Sequence, residues 1–105
     1  MRAAVYHGAG RITMEEIPVP VIGPGELLVR VTACGLCGSD LMRWYQDPRA
    51  PVVLGHEPVG VVAAAGEGAA FAPGDRVFVH HHVPCFDCDL CRRGRHTLCA
   101  TFRSS

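Results

Sequence analysis

Six cysteines are the residues of this chain with the clearest capacity for chemistry, and four of them lie in one short stretch. Their spacing is Cys85-x2-Cys88-x2-Cys91-x7-Cys99. Thiolates two residues apart can surround one ion from a tight turn, and four thiolates make the closed tetrahedral site typical of structural zinc. Residues 85–99 are therefore predicted to form a structural zinc lobe.

Disulfides and an iron–sulfur cluster are the alternative interpretations of these cysteines. The N-terminal residues show no apolar run followed by a small-residue cleavage site, so we expect a cytoplasmic protein whose thiols stay reduced. Bacterial-type cluster sequences commonly carry proline after the last cysteine, whereas Ala100 follows Cys99 here. Zinc is the favoured interpretation.

A second candidate metal site combines residues 35–40 (Gly-Leu-Cys-Gly-Ser-Asp) with residues 55–60 (Gly-His-Glu-Pro-Val-Gly). Cys37 and His56 could hold zinc from separate turns, and an open site needs a third protein ligand beside a position for water or substrate. Such an ion acts as a Lewis acid on a bound alcohol. Ser39 could pass the alcohol proton towards solvent. Taken singly, Cys37 and His56 also suit structural roles.

Other notable residues receive structural interpretations first. Cys34 is expected to be a buried thiol without a partner. The three histidines at 80–82 are expected to cluster at the end of a strand, where alternation would point His81 away from its neighbours. His96 is expected to be a loop residue. Trp44 is predicted either to wall a substrate pocket or to pack in the core.

Composition indicates one globular domain. The chain has 105 residues, of which 49% are hydrophobic and 19% are charged, an ordinary globular balance. The formal net charge is zero, which gives no electrostatic argument for nucleic acid or membrane as a partner. No apolar run approaches the ~20 residues that span a bilayer. The arginines at 92, 93 and 95 lie close to aspartates and predict a charge-balanced, solvated loop.

Short apolar segments separated by glycine and proline predict strands. The expected strands are 1–7, 11–17, 26–32, 58–65 and 76–82. The strand at 26–32 is expected to be buried on at least one side. A short helix is expected over 41–45, with Ser39 or Asp40 as its N-cap. Many short strands with little helix indicate a small barrel or sandwich.

Three motifs carry a family resemblance. Residues 35–40, residues 55–60 and the four-cysteine lobe occur in an order and spacing similar to the first domain of zinc-dependent medium-chain dehydrogenases, the alcohol and polyol dehydrogenases. The intervening Pro-Gly-Asp-Arg-Val at 73–77 also matches, and the resemblance covers the whole chain. It implies a mainly β fold, a GroES-like, partly open β-barrel with a short helix and a four-cysteine zinc lobe.

The resemblance also implies roles for individual residues. Cys37 and His56 resemble two catalytic zinc ligands, and Glu57 resembles the neighbouring carboxylate that approaches the metal. Ser39 resembles the proton-relay hydroxyl, and Asp40 resembles the carboxylate that holds the far ring nitrogen of the histidine. The sequence around these residues is somewhat more similar to polyol and threonine dehydrogenases than to simple-alcohol enzymes.

The implied reaction is reversible oxidation of a primary or secondary alcohol to a carbonyl with NAD or NADP, in a parent enzyme that is a homo-oligomer. A dinucleotide site needs Gly-x-Gly-x-x-Gly between a strand and a helix, and none occurs in these 105 residues. We therefore expect residues 1–105 to be a truncated zinc and substrate domain, without the Rossmann cofactor domain and inactive alone. The alternative is a non-enzymatic zinc-binding β-barrel module that mediates protein interaction. A co-chaperonin-like assembly protein ranks last because it needs no metal motifs.

Overall fold

Two three-stranded antiparallel sheets form the frame of the chain in the computed structural model, which describes residues 1–104. The first sheet has the order β2-β1-β4, from β1 (Arg2–Tyr6), β2 (Ile12–Glu16) and β4 (Val52–Val53). The second has the order β3-β5-β6, from β3 (Leu27–Gly35), β5 (Glu57–Ala65) and β6 (Arg76–Phe78). The mainly β architecture predicted from the sequence is confirmed.

Helical segments are short. They are α1 (Arg43–Gln46), α2 (Asp89–Arg92) and α3 (Ala100–Ser104), with 3-10 turns at Gly38–Leu41, Asp47–Arg49 and His96–Leu98. The predicted helix over 41–45 begins later than expected, and its N-cap is Met42, not Ser39 or Asp40. Asp40 is already engaged, because its carboxylate accepts a hydrogen bond from the Cys37 N–H at 3.1 Å.

Two predictions about strands are wrong. The last strand ends at Phe78, not at His82. The Val79 N–H still donates to the Pro58 carbonyl at 3.0 Å, but β5 begins at Glu57, so little paired backbone is left for the residues that follow. β3 is buried only partly in its first three residues, and Val31 is 55% exposed. The reason is that no other element of the described chain covers the faces of the sheet along the second half of β3, where residues 30–35 are all exposed.

Little of the apolar surface is covered. Among the described residues the buried apolar side chains are Ala3, Val5, Tyr6, Val62, Cys91 and Cys99. The accessible surface is 7505 Å², whereas a compact monomer of this mass exposes about 5,700 Å². The radius of gyration is 15.7 Å, compared with about 13 Å for a compact domain of this length. The two sheets therefore present open faces to solvent.

No helix in residues 1–104 has the length and apolar character that crossing a membrane requires.

Gly66 is fixed by a close approach between two turns. Its N–H donates to the Glu26 carbonyl at 2.8 Å, and a Cβ at this position would overlap the backbone carbonyl of Gly23. The contact joins the turn before β3 to the turn after β5. A side chain here must therefore push the two turns apart.

We expect Gly66→Ala to lower the free energy of unfolding by about 1–3 kcal/mol, the usual cost of overpacking. Gly23→Ala is the matched control, because a Cβ at Gly23 meets only the Glu26 carboxylate at an ordinary 3.6 Å. Urea unfolding followed by circular dichroism measures both. Equal midpoints for the two variants would show that the turns adjust without strain.

Candidate functional site

The four cysteines of the lobe converge on one point. The four sulfur atoms all lie within 4.8 Å of one another, with 3.6 Å between the Sγ atoms of Cys85 and Cys99 and 3.9 Å between those of Cys85 and Cys91. Zinc–sulfur bonds of about 2.3 Å in a tetrahedron place sulfur atoms about 3.8 Å apart. All six cysteines are free thiols. The donor set and its spacing therefore fit a four-thiolate zinc ion and not a disulfide.

Backbone hydrogen bonds already favour negative charge on these sulfur atoms. The Cys85 N–H donates to Cys99 Sγ and the Cys88 N–H to Cys85 Sγ, both at 3.4 Å. Hydrogen bonds from backbone N–H groups, that of Cys85 above all, lower the pKa of Cys99 to about 5, whereas burial is the main cause that raises the pKa of Cys91 to about 12. A thiol binds metal as the thiolate, so metal uptake by a protonated cysteine releases a proton.

The charged rim of the lobe agrees with the predicted solvated loop. The Arg92 guanidinium lies 2.9 Å from the Asp87 carboxylate and 3.7 Å from that of Asp89, and all three side chains are more than half exposed. His96 belongs to a 3-10 turn and packs its ring against Phe86, with centroids 5.5 Å apart. It is absent from the sulfur cluster.

The second cluster brings together Cys37, His56 and Glu57, whose ligand atoms also lie within 4.8 Å of one another. Strand pairing explains the approach, since Gly35 at the end of β3 lies opposite Glu57 at the start of β5. Gly55 has φ +93°, a left-handed conformation that favours glycine, and it turns the chain into His56. Two segments distant in sequence therefore meet at the same end of the sheet.

Asp40 and Ser39 lie beside His56 as the sequence predicted. Asp40 Oδ1 is 3.2 Å from Nδ1 of His56, and the Asp40 side chain is almost fully buried. Ser39 Oγ is 3.5 Å from Nε2 of the same ring. The buried carboxylate lies at one ring nitrogen of the imidazole, and the hydroxyl lies beside the other.

Charge in this cluster is divided between the thiol and the imidazole. Hydrogen bonds from the Ser39 side chain and backbone, and then from His56, lower the pKa of Cys37 below its usual value. The bond to Cys37 and the negative charge of Asp40 raise the pKa of His56. The two shifts have opposite directions, and each favours the charged form of its group.

Some predicted residues take other positions. Cys34 is exposed, not buried, because it lies in the uncovered half of β3. Trp44 is 75% exposed, so it is not part of the core; its ring packs against Tyr45, with centroids 5.8 Å apart. Tyr45, unlike Trp44, lines a cavity of about 200 Å³ beside His56. A substrate-binding role for Trp44 stays a prediction.

The three histidines at 80–82 do cluster beyond the end of β6, but alternation does not separate them. The His81 ring centroid lies 5.4 Å from that of His80 and 4.1 Å from that of His82, because these residues are not in a strand. Reasoning from sequence missed a further contact, between His81 and His56. No local sequence signal indicates this contact, because it depends on the antiparallel pairing of β5 with β6.

An antiparallel β fold with an all-cysteine cluster and a separate Cys–His–Glu cluster defines a class of metal-binding domain, and comparison with known proteins identifies the family. Residues 23–105 match the alcohol dehydrogenase GroES-like domain. Sorbitol dehydrogenase of Bacillus subtilis is 43% identical over 94% of this chain and 30% of its own length. D-altritol 5-dehydrogenase of Agrobacterium fabrum is 43% identical over 99% of this chain and 32% of its own length.

Solved structures agree with the sequence comparison. A cobalt- and zinc-bound thermostable alcohol dehydrogenase from Pyrobaculum aerophilum superposes with a TM-score of 0.82 at 30% identity, over 100% of this chain and 33% of that chain. The protein belongs to the zinc-dependent alcohol and polyol dehydrogenase family. The part of the family fold that it contains is the GroES-like domain. The chain spans about a third of the length of the curated relatives that it matches.

The depressed pKa of Cys37 gives a test of the second cluster. Because a thiol with a lowered pKa stays ionised at lower pH, Cys37 in metal-depleted chain should react with iodoacetamide at neutral pH faster than an ordinary thiol. Ser39→Ala removes the first cause of the shift and should slow the reaction several-fold. Site-resolved mass spectrometry gives the rates, and the exposed Cys34 on β3 is the internal reference. An unchanged Cys37 rate in Ser39→Ala contradicts the assignment.

Proposed function

We propose that this chain is the zinc- and substrate-binding domain of a cytoplasmic NAD- or NADP-dependent dehydrogenase. The parent enzyme oxidises a primary or secondary alcohol, with a preference for polyols, to a carbonyl by zinc-assisted hydride transfer. The observation that carries the proposal is the convergence of Cys37, His56 and Glu57, with the buried Asp40 behind the imidazole. A purely structural zinc module has no need of this second, open cluster.

The donor set suits an open zinc site. One thiolate, one imidazole and one carboxylate give three protein ligands and leave room for a fourth, from substrate or water. Zinc held there supplies Lewis acidity that lowers the pKa of an alcohol. Glu57 is exposed and can approach or leave such an ion, and a further ligand from outside this chain can complete the set.

Residues around the cluster are proposed to orient the histidine ligand, transfer a proton and contact the substrate. Asp40 accepts from Nδ1 of His56 and so leaves Nε2 free to bind metal. The Ser39 hydroxyl, 3.5 Å from Nε2, can take the proton of a substrate alcohol and pass it to solvent. Trp44 is proposed to border the substrate because α1, in which it lies, follows directly after the turn that carries Ser39 and Asp40. Its ring packs against that of Tyr45.

The lobe has a separate, structural task. Its four sulfur atoms form a closed set with no position for substrate, so zinc at Cys85, Cys88, Cys91 and Cys99 holds residues 85–99 in place.

The nucleotide site is proposed to lie in a Rossmann domain of the parent enzyme, and the chain alone is proposed to be inactive. The sorbitol and D-altritol dehydrogenases among the relatives support a polyol as substrate and a small-molecule partner, not nucleic acid or membrane. A homo-oligomeric parent is part of the proposal.

A non-enzymatic zinc-binding module is the second candidate, favoured by the exposed apolar faces of the two sheets. Such faces mark interaction surfaces. The two functions differ in what the Cys37 cluster does, since a module needs zinc only in the lobe.

Zinc content distinguishes the two candidates. Elemental analysis of zinc-saturated, reduced chain is expected to give two ions, one of which is lost in His56→Ala and the other in Cys99→Ser. The lobe should bind more tightly because all of its ligands are present in the chain. One zinc in the wild-type chain, unchanged by His56→Ala, points to the structural module, and no zinc in any variant removes both proposals.

Activity is tested in the full-length parent enzyme. Reduction of NAD or NADP with sorbitol, D-altritol and ethanol as substrates should favour the polyols. Asp40→Asn should lower metal affinity or activity by about 10–100-fold, the usual effect of losing an outer partner of a ligand, whereas Ser39→Ala should lower kcat with zinc content unchanged. Full polyol oxidation by a Cys37→Ala variant would exclude zinc-assisted chemistry at this cluster.

A further inference from the structure

The proposed function does not use the three histidines that follow β6. The His81 ring lies against the His56 ring, with centroids 4.4 Å apart and planes inclined at 60°. Within residues 1–104, neither cluster of three or more close ligand atoms includes a histidine from 80–82. His81 therefore contacts a candidate ligand without being one.

The approach of His81 to His56 follows from strand register. β5 and β6 pair antiparallel, with Val59 opposite Phe78 and Val61 opposite Arg76. Continuing this register by three positions beyond Val59 brings residue 81 opposite residue 56. The hydrogen bond from the Val79 N–H to the Pro58 carbonyl, 3.0 Å long, carries the pairing one step beyond the strand. The pairing of β5 with β6 therefore brings the segments that carry His56 and His81 to the same end of the sheet.

The His81 ring also contacts His82, which connects it to a helix. The ring centroids of His81 and His82 are 4.1 Å apart, and those of His82 and Phe102 are 5.1 Å apart. Phe102 belongs to α3, which begins directly after the lobe ligand Cys99. A continuous row of rings therefore runs from the lobe to His56. Zinc in the lobe would fix the far end of this row.

The polar contacts of His56 lie at the edge of its ring. Asp40 Oδ1 is 3.2 Å from Nδ1 and Ser39 Oγ is 3.5 Å from Nε2. The His81 ring adds a packing contact, with ring centroids 4.4 Å apart, which limits the remaining motion of the imidazole. A metal ligand that is already oriented loses less conformational entropy when the ion binds.

We propose that His81 is a positioning residue, which packs on the ring of His56 and holds it ready for metal at the Cys37 cluster. The inference rests on the proposed function, because it takes His56 to be a metal ligand. The role belongs to the ring itself and needs no bond from a His81 nitrogen to the metal.

Cobalt(II) titration of chain with zinc in the lobe tests the proposal, since cobalt bound to thiolate and imidazole gives a visible spectrum. His81→Ala should weaken cobalt binding about 10-fold, as loss of an outer partner typically does, and should change the spectrum. His81→Phe retains a ring and should restore affinity. His96→Ala removes an exposed histidine outside the row of rings and should bind as the wild type.

The other results are equally decisive. Wild-type affinity in His81→Ala overturns the positioning role while leaving the proposed metal site intact, provided that His56→Ala abolishes cobalt binding. Unchanged binding in His56→Ala overturns the proposed metal site, and the role of His81 with it. Failure of His81→Phe to restore affinity shows that the ring is not what acts, and also overturns the inference.

A second measurement does not depend on metal at the Cys37 cluster. Carbon relaxation of the His56 ring in chain with only the lobe zinc reports the ring's order directly. His81→Ala should lower that order, whereas His96→Ala should not. Equal order in His81→Ala and the wild type contradicts the proposal whatever the cobalt titration gives.

Discussion

β5 is hydrogen-bonded to β3 along one edge and to β6 along the other, and this double pairing places every residue of the Cys37 cluster. The pairing with β3 sets Gly35 opposite Glu57, so that Cys37 and His56 meet just beyond the paired residues. The pairing with β6 brings His81 to the same end. A shift of one residue in either pairing would displace these segments relative to one another and separate the side chains. β5 is therefore the strand on which the site depends.

The lobe is organised by a different principle. Its ligands lie within fifteen consecutive residues, and its own backbone N–H groups bond the sulfur atoms. Cys91 and Cys99 are also among the buried apolar residues of the described chain, so candidate metal ligands form part of its core. Metal binding at the lobe, as proposed, would couple metal uptake to folding of this segment. Phe102, three residues after Cys99, contacts His82. This contact connects the lobe to the histidines beside the Cys37 cluster.

The outer half of β3 is exposed and lies next to the Cys37 cluster. Val31 and Cys34 are both exposed there. The accessible surface of 7505 Å² exceeds that of a compact monomer by about 1,800 Å². This excess is about twice the area that each partner contributes to a standard protein–protein interface. The open faces and the open metal cluster both fit a domain that works against other parts of a larger enzyme.

The amino-acid sequence by itself determined the four-cysteine lobe, the approximate strands and the pairing of Cys37 with His56, Ser39 and Asp40. Ligand spacing within a short loop is a local property, and a family resemblance transfers residues that lie at matching positions. The sequence did not determine the N-cap of α1, the early end of β6, or the exposure of Val31, Cys34 and Trp44. These depend on which strands pair, which carboxylate is already engaged and which faces stay uncovered. The contact between His81 and His56 is of the same kind: only the register of β5 with β6, a tertiary property, brings two residues so distant in sequence together.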